Sequence, residues 1–288
     1  MYDTLGDRQK DYEKAFDYSL IRRTPIIVRV DGRSFHKVCR KLAKPYEPLM
    51  LEAMVNTMFY VVSEMAGAVF AYQQSDEITF VLRNDQSLDS EPWYDNRVQK
   101  IVSIVSSLAT LGFNKTINNI DKKLDLTGDA IFDARVFALP TVSEVVNNLI
   151  WRQQDCTRNA ISGAAQAVLS KKHGKKTVLK MLHGQSTKNK LEIMKTECGI
   201  DFEEEFPTSY KLGVGAYKIP VIIPSKDGRD STRKKWTIDW DLPNFVTERD
   251  FIHNLIFSGH DIFRETTVAG MITSKQQGEE KIMTSEIS

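Results

Sequence analysis

The sequence predicts an α+β fold in which helices cover one face of an antiparallel sheet in the ferredoxin-like arrangement, followed by a C-terminal α/β extension. Two observations support this prediction. Apolar runs with strand character alternate with stretches of helical periodicity in the order β-α-β-β-α-β between residues 25 and 140. The chain of 288 residues is also 41% hydrophobic, so it is long and apolar enough to bury a full-sized core.

The first strand and the first helix of this unit follow from two apolar patterns. The β-branched run Pro25–Val30 stops at Asp31-Gly32, which is typical of a strand that ends in a turn. Apolar side chains then recur at helical spacing within Leu49–Met65, and Gly67 is placed to end that helix.

The next elements are a hairpin and a second helix. The runs Ala68–Tyr72 and Ile78–Leu82 are separated only by QQSDE, which predicts two strands joined by a tight polar turn. A polar stretch follows, and a stripe of apolar residues then predicts a helix over residues 98–109.

The unit ends with a strand and leads into a long helix. Phe132–Leu139 alternates as a strand does, and Pro140 stops it. Thr141 and Glu144 then have the spacing of a capping box, from which we expect a long helix. This helix is predicted to end near Gly174, where lysines and a glycine suit a helix C-terminus.

This order of elements has a topological consequence for two carboxylates. Right-handed crossovers make the first and third strands antiparallel neighbours at the centre of the sheet. Asp31 lies at the end of the first strand, and Asp76 lies at the beginning of the third. The topology therefore predicts that both carboxylates meet at one edge of the sheet.

The chain divides into three predicted parts. Residues 1–140 form the split unit, and 141–215 form a helical part of the same unit. Residues 216–288 form the C-terminal extension, which ends in a flexible tail. Within and before this extension, 209–224 is typical of a bent strand or hairpin, and 225–236 (SKDGRDSTRKKW) predicts a polar loop.

Charge and cysteine content exclude several classes of protein. The formal net charge is only +1, which argues against a protein that binds nucleic acid through bulk positive charge. Positive charge is instead local, because residues 171–195 hold eight lysines against one glutamate, and 196–205 are acidic. Three distant cysteines disfavour a disulfide framework or a zinc site, so we expect a soluble cytoplasmic protein.

The two aspartates admit a structural and a functional interpretation. Aspartate is common in turns for structural reasons alone. However, Gly32 permits close approach of a ligand to the backbone, and Arg33, Ser34, His36 and Lys44 supply donors that a triphosphate requires. Paired carboxylates are also ligands that suit Mg²⁺ in combination with substrate phosphates. The pattern therefore favours a magnesium and nucleotide site.

A set of ordered motifs resembles the tRNA(His) guanylyltransferase family. The similarity spans roughly residues 15–215, and the motifs occur in the same order and at similar spacing as in the family. They are VRVDGRSFHKV (28–38), AYQQSDEITFVL (71–82), FDARVFALPT (132–141), WRQQDCTRNA (151–160), STKNK (186–190) and PTSYKLG (207–213).

The resemblance implies that residues 1–140 are a polymerase-palm-like catalytic domain that extends RNA at its 5′ end, and that 141–215 contact the RNA. It implies that two Mg²⁺ ions are held by Asp31, the carbonyl of Gly32, and Asp76, with Asp31 and Asp76 as the catalytic residues. ATP and GTP would be substrates, tRNA the partner, and the assembly a homotetramer. The residues implied in nucleotide binding are Asp31, Gly32, Arg33, Ser34, Phe35, His36, Lys44, Ser75 and Asp76.

A weaker group of residues is predicted to contact RNA or triphosphate. For several of them a structural role is an open alternative: Arg135 can pair with Asp133, and Arg152 can brace the long helix with Asp155. Trp151 is interpreted as a packing residue. The group comprises Glu77, Lys100, Arg135, Arg152, Asn159, Lys188 and Asn189.

One departure from the family pattern bears on the substrate. Family members that add the extra 5′ guanosine to tRNA(His) usually carry His-Ile-Asn-Asn where this chain has Thr157-Arg158-Asn159-Ala160. The departure resembles the guanylyltransferase-like branch, which implies template-dependent repair of tRNAs truncated at the 5′ end. Guanosine addition to tRNA(His) is the alternative, and a palm-fold nucleotide cyclase or a non-catalytic RNA-binding module are more distant ones.

Overall fold

A six-stranded antiparallel sheet forms the centre of the protein, in the order β4-β1-β3-β2-β5-β6. The computed structural model describes residues 4–119, 126, 128–223 and 231–258 of the chain. The strands are β1 (Ile26–Gly32), β2 (Ala68–Gln74), β3 (Glu77–Leu82), β4 (Phe132–Ala138), β5 (Val214–Ile223) and β6 (Ser231–Asp239).

Ten α-helices lie within the described residues. A 3₁₀ segment, Trp93–Asn96, precedes the fourth of them, and a π-helical turn, Asn254–Ser258, follows the last. The helices are α1 (Leu5–Lys14), α2 (Phe35–Val38), α3 (Pro48–Ser63), α4 (Val98–Asn119), α5 (Val142–His173), α6 (Lys175–Leu182), α7 (Thr187–Cys198), α8 (Phe202–Glu205), α9 (Thr208–Leu212) and α10 (Arg249–His253). None of the helices in this part of the chain is long and apolar enough to cross a bilayer.

The ferredoxin-like prediction is confirmed. Strand β1 lies between β3 and β4 and is antiparallel to both, as the crossover argument requires. The register pairs Asp31 with Glu77 on β3 and with Asp133 on β4. The carboxyl-terminal end of β1 therefore lies next to the turn that joins β2 to β3.

The two helices of the split unit, α3 and α4, cover one face of the sheet. Val28 and Phe80 project from the sheet into this core, where they meet Met54 of α3 and Val105 of α4, all fully buried. Burying each side chain of this kind contributes about 1.5–3 kcal/mol relative to exposing it. This core is the main attachment of the helices to the strands that carry the site.

The opposite face of the sheet is covered by the first half of α5 and by the C-terminal segment. Ile27 and Val81 pack there against Leu149 of α5 and against Phe245 and Ile252. The sheet is thus buried on both faces, one by the split unit and the other by elements that follow it in sequence. This second layer determines which side chains around the site are covered.

Helix α5 begins and ends as its sequence predicts. The Thr141 hydroxyl accepts a hydrogen bond from the backbone N–H of Glu144 at 3.3 Å, and Gly174 follows its last residue. Its second half extends beyond the sheet and packs against α6, α7 and α8 through Val178, Met194 and Phe202. One helix therefore connects the sheet to the smaller helical cluster.

The C-terminal extension continues the same sheet. Strand β5 pairs with β2, and β6 pairs with β5 along its whole length. The prediction of a loop for 225–236 is therefore wrong from residue 231 onward. Backbone pairing with β5 holds this segment as a strand, although its charged composition indicates a loop. Residues 224–230 lie outside the described residues. The domain boundary predicted at residue 215 falls inside β5. The predicted flexible tail lies beyond residue 258 and so outside the described residues.

Candidate active site

The structure brings Asp31 and Asp76 together at the edge of the sheet. Asp31 is the penultimate residue of β1, and Asp76 lies in the two-residue turn between β2 and β3. The backbone N–H of Gly32 donates a hydrogen bond to the backbone carbonyl of Asp76 at 3.0 Å. Segments that are distant in the sequence are thus joined directly, because β1 and β3 are neighbours.

The electrostatics of this pair favour binding of a cation. Burial, together with the charge of Asp133, raises the pKa of Asp31, and burial and the charge of Asp31 raise the pKa of Asp76. Within the described residues, Asp76 has no ion pair, and Asp31 has only a distant one, 3.9 Å from Arg135 Nη2. The site therefore holds negative charge that the neighbouring cations only partly compensate.

The donor set fits magnesium better than a metal that requires an all-protein cage. No group of three or more histidine, cysteine, aspartate or glutamate side chains suited to a metal occurs in the described part of the chain. Two carboxylates remain, with the backbone carbonyl of Gly32 next to one of them. Mg²⁺ is commonly held by one or two carboxylates together with water and substrate phosphates, so these residues fit that ion.

The loop after Gly32 is anchored by one buried aromatic side chain. Phe35 is only 4% exposed, and its ring lies 5.4 Å from that of Phe113 and 5.0 Å from that of Phe132. Its neighbours Ser34 and His36 are exposed, and Ser34 has a left-handed backbone conformation with φ 54°. Phe35, predicted to contact the nucleotide, therefore offers only its backbone, while the exposed side chains on either side of it are free to meet a ligand.

Gly32 is required by the packing of this loop. A Cβ atom on Gly32 would lie 2.2 Å from the ring of Phe35, which is held in the core. We expect Gly32→Ala to lower the free energy of unfolding by about 1–3 kcal/mol, since the ring has to move. Urea denaturation measures the change. Gly6→Ala in α1 is the control, because its Cβ would meet nothing closer than 3.7 Å, and equal stabilities of the two variants would contradict the steric argument.

A buried ion-pair network lies next to the carboxylates on the α5 side of the sheet. Glu77 Oε1 is 2.8 Å from Arg152 Nε and 3.6 Å from Arg29 Nε, and all three side chains are nearly inaccessible to solvent. Arg152 also pairs with Asp155 one turn along α5. Burial raises the pKa of Glu77 although two cations face it, so desolvation is the larger effect.

This network corrects two predicted ligand contacts. The sequence predicts that Glu77 and Arg152 contact RNA or triphosphate, but neither side chain is accessible, because α5 buries its own Arg152 against Glu77 on the sheet. The structural alternative for Arg152, bracing the long helix with Asp155, describes its contacts.

The other weakly predicted residues are exposed and lie in different places. Arg135 is close to the site, 3.4 Å from Asp133 and 3.9 Å from Asp31. Lys100 lies near the start of α4, whereas Phe113 of the same helix packs against the site loop. At about 1.5 Å per residue they are about 20 Å apart along the helix, so Lys100 lies far from the part of α4 that contacts the site loop.

Three further predicted residues belong to the helical part. Asn159 is exposed on α5, where its side chain donates to Asp155 at 3.4 Å. Lys188 and Asn189 are exposed in the first turn of α7, and Asn189 bonds to Gln185. No hydrogen bond or ion pair among the described residues connects these three to the aspartate pair.

Lys44, predicted to bind nucleotide, lies on the loop before α3. Its side chain is exposed, with Nζ 3.5 Å from the carbonyl of Cys39. This weak contact leaves the ammonium group available to a phosphate.

A cavity of about 320 Å³ lies beside the segment that departs from the family pattern. Thr157 and Arg158 of α5 line it, together with Thr187 at the start of α7 and Asn244 after β6. The Thr157 hydroxyl donates to the carbonyl of Lys211 at 3.0 Å, so this side chain is already engaged.

Sequence reasoning misses two residues around the site. Gln73 is fully buried and donates a hydrogen bond to the carbonyl of Ser75 at 2.9 Å, which holds the turn that carries Asp76. Trp151 is interpreted from the sequence as a packing residue, but 49% of it is exposed. Neither can be identified from local pattern, because a glutamine before a turn and a tryptophan on a helix have no distinctive spacing.

The fold and the site define a palm-like sheet that carries two aspartates at one edge, and comparison with known proteins identifies the family. The family described as tRNAHis guanylyltransferase matches residues 6–140. The tRNA(His) guanylyltransferase of Schizosaccharomyces pombe is 32% identical over 210 residues, covering 71% of this chain and 76% of that protein. The chain belongs to the tRNA(His) guanylyltransferase family.

Other relatives differ more in length. An uncharacterized protein of Acanthamoeba polyphaga mimivirus is 33% identical over 188 residues, which cover 58% of this chain. The chain spans 63% of that viral protein and only 40% of tRNA(His) guanylyltransferase 2 of Arabidopsis thaliana.

Solved structures show the same fold over most of the chain. A bacterial tRNA(His) guanylyltransferase-like protein in complex with ATP has a TM-score of 0.73 at 32% identity, covering 88% of this chain and 99% of that one. A bacterial protein of the same description in complex with GTP has a TM-score of 0.71 at 31% identity and covers 88% of this chain and 100% of its own.

Proposed function

We propose that this protein is a Mg²⁺-dependent nucleotidyltransferase that adds nucleotides to the 5′ end of tRNA in the 3′–5′ direction. The observation that carries the proposal is the juxtaposition of Asp31, Gly32 and Asp76 at one edge of a palm-like sheet. Structures similar over 88% of the chain belong to proteins that bind ATP and GTP, which supports nucleoside triphosphates as substrates.

The reaction has two displacement steps. In the first, an oxygen of the RNA 5′-monophosphate attacks the α-phosphorus of ATP or GTP, and pyrophosphate leaves. In the second, the 3′-hydroxyl of a nucleoside triphosphate attacks the activated 5′-phosphate of the RNA and loses its proton, and the nucleoside monophosphate leaves. Catalysis of this kind depends mainly on positioning and charge neutralisation, so no protein nucleophile is required.

The residues of the site have separate tasks in this proposal. Asp31, the Gly32 carbonyl and Asp76 would hold two Mg²⁺ ions, which when bound neutralise charge on the reacting phosphates. The triphosphate is bound by exposed side chains of the adjoining loop, of the facing turn and of the loop before α3. These are Arg33, Ser34, His36, Ser75 and Lys44.

The favoured substrate is a tRNA truncated at its 5′ end, repaired against its own complementary strand. The support comes from α5, where Thr157 and Arg158 stand in place of the His-Ile pair of guanosine-adding members. Thr157 is bonded to the Lys211 carbonyl, and Arg158 is paired with Asp155, so neither offers an imidazole at this position. Guanosine addition to tRNA(His) is the second candidate.

A comparison of two RNAs tests this assignment. With ATP, GTP and Mg²⁺, we expect kcat/KM for tRNA lacking its 5′-terminal nucleotide to exceed that for full-length tRNA(His) by at least about tenfold. Changing the base opposite the missing position serves as the control, and the nucleotide added should change with it. Faster extension of full-length tRNA(His) would contradict repair and favour guanosine addition.

The same assay separates the more distant alternatives. A nucleotide cyclase would form a cyclic product without RNA, and a binding module would bind tRNA with no turnover. We further propose that the protein is a homotetramer in the cytoplasm, as the family resemblance and the free cysteines suggest. Light scattering after size-exclusion chromatography measures the assembly.

A further inference from the structure

The indole of Trp151 lies on the outside of α5 next to the sheet that carries the aspartates. Nearly half of this residue, 49%, is exposed, although the two arginines that face its ring are deeply buried. The Arg152 guanidinium carbon is 4.2 Å from the centre of the indole, and that of Arg29 is 5.0 Å away. Both cations belong to the buried network around Glu77, so they occupy the covered side of the ring.

These cations fix the orientation of the ring. A guanidinium within about 6 Å of a tryptophan ring is attracted to its face, and the attraction is stronger when the pair is shielded from water. Arg29 and Arg152 are themselves held by Glu77, so they cannot turn away from the indole. The exposed surface of Trp151 is therefore rigid and ready for a flat ligand, which reduces the entropy lost on binding.

The exposed indole contacts a residue on the face of the sheet that also carries Asp31. Arg29 precedes Asp31 by two residues in β1, so the two side chains project from the same face of the sheet, about 7 Å apart along the strand. Arg135 lies opposite Arg29 on β4, is exposed, and approaches Asp31. An exposed aromatic ring, an exposed cation and the carboxylates thus follow one another across this surface.

We propose that Trp151 is a stacking site for the 5′-terminal nucleobase of the RNA substrate, with Arg135 beside it for the RNA backbone. The inference rests on the proposed function and adds to it the group that positions the RNA end. Base–aromatic stacking tolerates any base, which suits an enzyme whose added nucleotide is chosen by the opposite strand. The exposed Arg135 next to this surface favours a polyanionic ligand such as RNA, since arginine is a common contact of nucleic-acid phosphates.

Binding of two RNA hairpins, measured at fixed salt without nucleotide or Mg²⁺, tests the inference. One hairpin carries an ordinary 5′-monophosphorylated terminal nucleotide, and the other has an abasic residue at that position. We expect Trp151→Leu to weaken binding of the first about tenfold and Trp151→Phe to weaken it less than about threefold. The parent protein should bind the abasic hairpin about tenfold more weakly than the ordinary one, and Trp151→Leu should not weaken binding of the abasic hairpin further.

A matched control is available in Trp240, which is 42% exposed and has no cation against its ring in the described structure. Trp240→Leu should bind both hairpins as the parent does. The intrinsic fluorescence quenched by the ordinary hairpin should be lost in Trp151→Phe and kept in Trp240→Leu. If Trp151→Leu fails to fold, the abasic hairpin with the parent protein and the fluorescence of Trp151→Phe still decide the question.

Several results would overturn the stacking site. One is that Trp151→Leu binds the ordinary hairpin as tightly as the parent protein does. Another is that this variant still binds the abasic hairpin more weakly than the ordinary one. The third is a smaller assembly of Trp151→Leu in light scattering, which would make the ring a subunit contact. Failure of the proposed function has a different signature: RNA still quenches Trp151, but the parent protein extends no RNA when nucleotides and Mg²⁺ are added.

Discussion

The double substitution Asp31→Asn/Asp76→Asn is expected to lower nucleotide addition at least about 10³-fold while leaving the protein folded. In the absence of Mg²⁺ we expect the variant to be more stable than the parent protein by about 1 kcal/mol. The physical reason is that burial and mutual repulsion disfavour the two carboxylates, and asparagine keeps the shape without the charge. Radiolabelled extension assays and thermal unfolding measure the two effects.

Magnesium should distinguish the variant from the parent independently of activity. Because a ligand that binds only the folded state stabilises it, Mg²⁺ should raise the unfolding temperature of the parent and leave that of the variant unchanged. The control is Asp11→Asn/Asp89→Asn, the same chemical change at two exposed positions, which should retain both activity and the response to Mg²⁺. Substantial extension by the Asp31/Asp76 variant would remove the basis for a metal site at this sheet edge.

The second large effect concerns stability. Arg152→Met should lower the free energy of unfolding by about 3 kcal/mol, since it removes the cation nearest to Glu77. Within the described structure, the buried carboxylate then keeps Arg29, 3.6 Å away, and a long hydrogen bond from the Thr79 hydroxyl. Arg29→Met and Glu77→Gln combined with Arg152→Met should recover most of that loss, because all three buried charges are then gone. Chemical denaturation of the two variants measures the difference.

Arg158 provides the matched control for this prediction. It pairs with Asp155 on the same helix, but its side chain is 59% exposed. Arg158→Met should therefore change stability by no more than about 0.5 kcal/mol. If the triple variant were as unstable as Arg152→Met, the loss would come from the packing of the arginine stem and not from the uncompensated charge of Glu77.

Much of the fold and the centre of the site could be predicted from the sequence. Strand and helix periodicity established the order of elements, and the handedness of crossovers placed β1 beside β3. From these two rules it followed that Asp31 and Asp76 would meet, and they do. The cap at Thr141 was predictable for the same reason, because each of these features depends on near neighbours in sequence or on a general rule of chain topology.

Strand β6 was not predictable from its own residues. Its first half, the exposed run Ser231–Lys235, is held as a strand by its pairing with β5. Charged residues have low strand propensity on average, and pairing with a neighbour overrides that preference. The local composition of this segment therefore indicated a loop where the sheet continues.

The sequence alone thus determined which two carboxylates meet at the edge of the sheet, because spacing and topology act within the split unit. Only the tertiary structure decided which of the surrounding side chains a ligand can reach. Helix α5, from a later part of the chain, packs against the sheet so that its Arg152 is buried against Glu77 and its Trp151 stays exposed, while the core encloses Phe35. Whether a side chain is covered depends on distant segments that pack against it, and no local pattern records that packing.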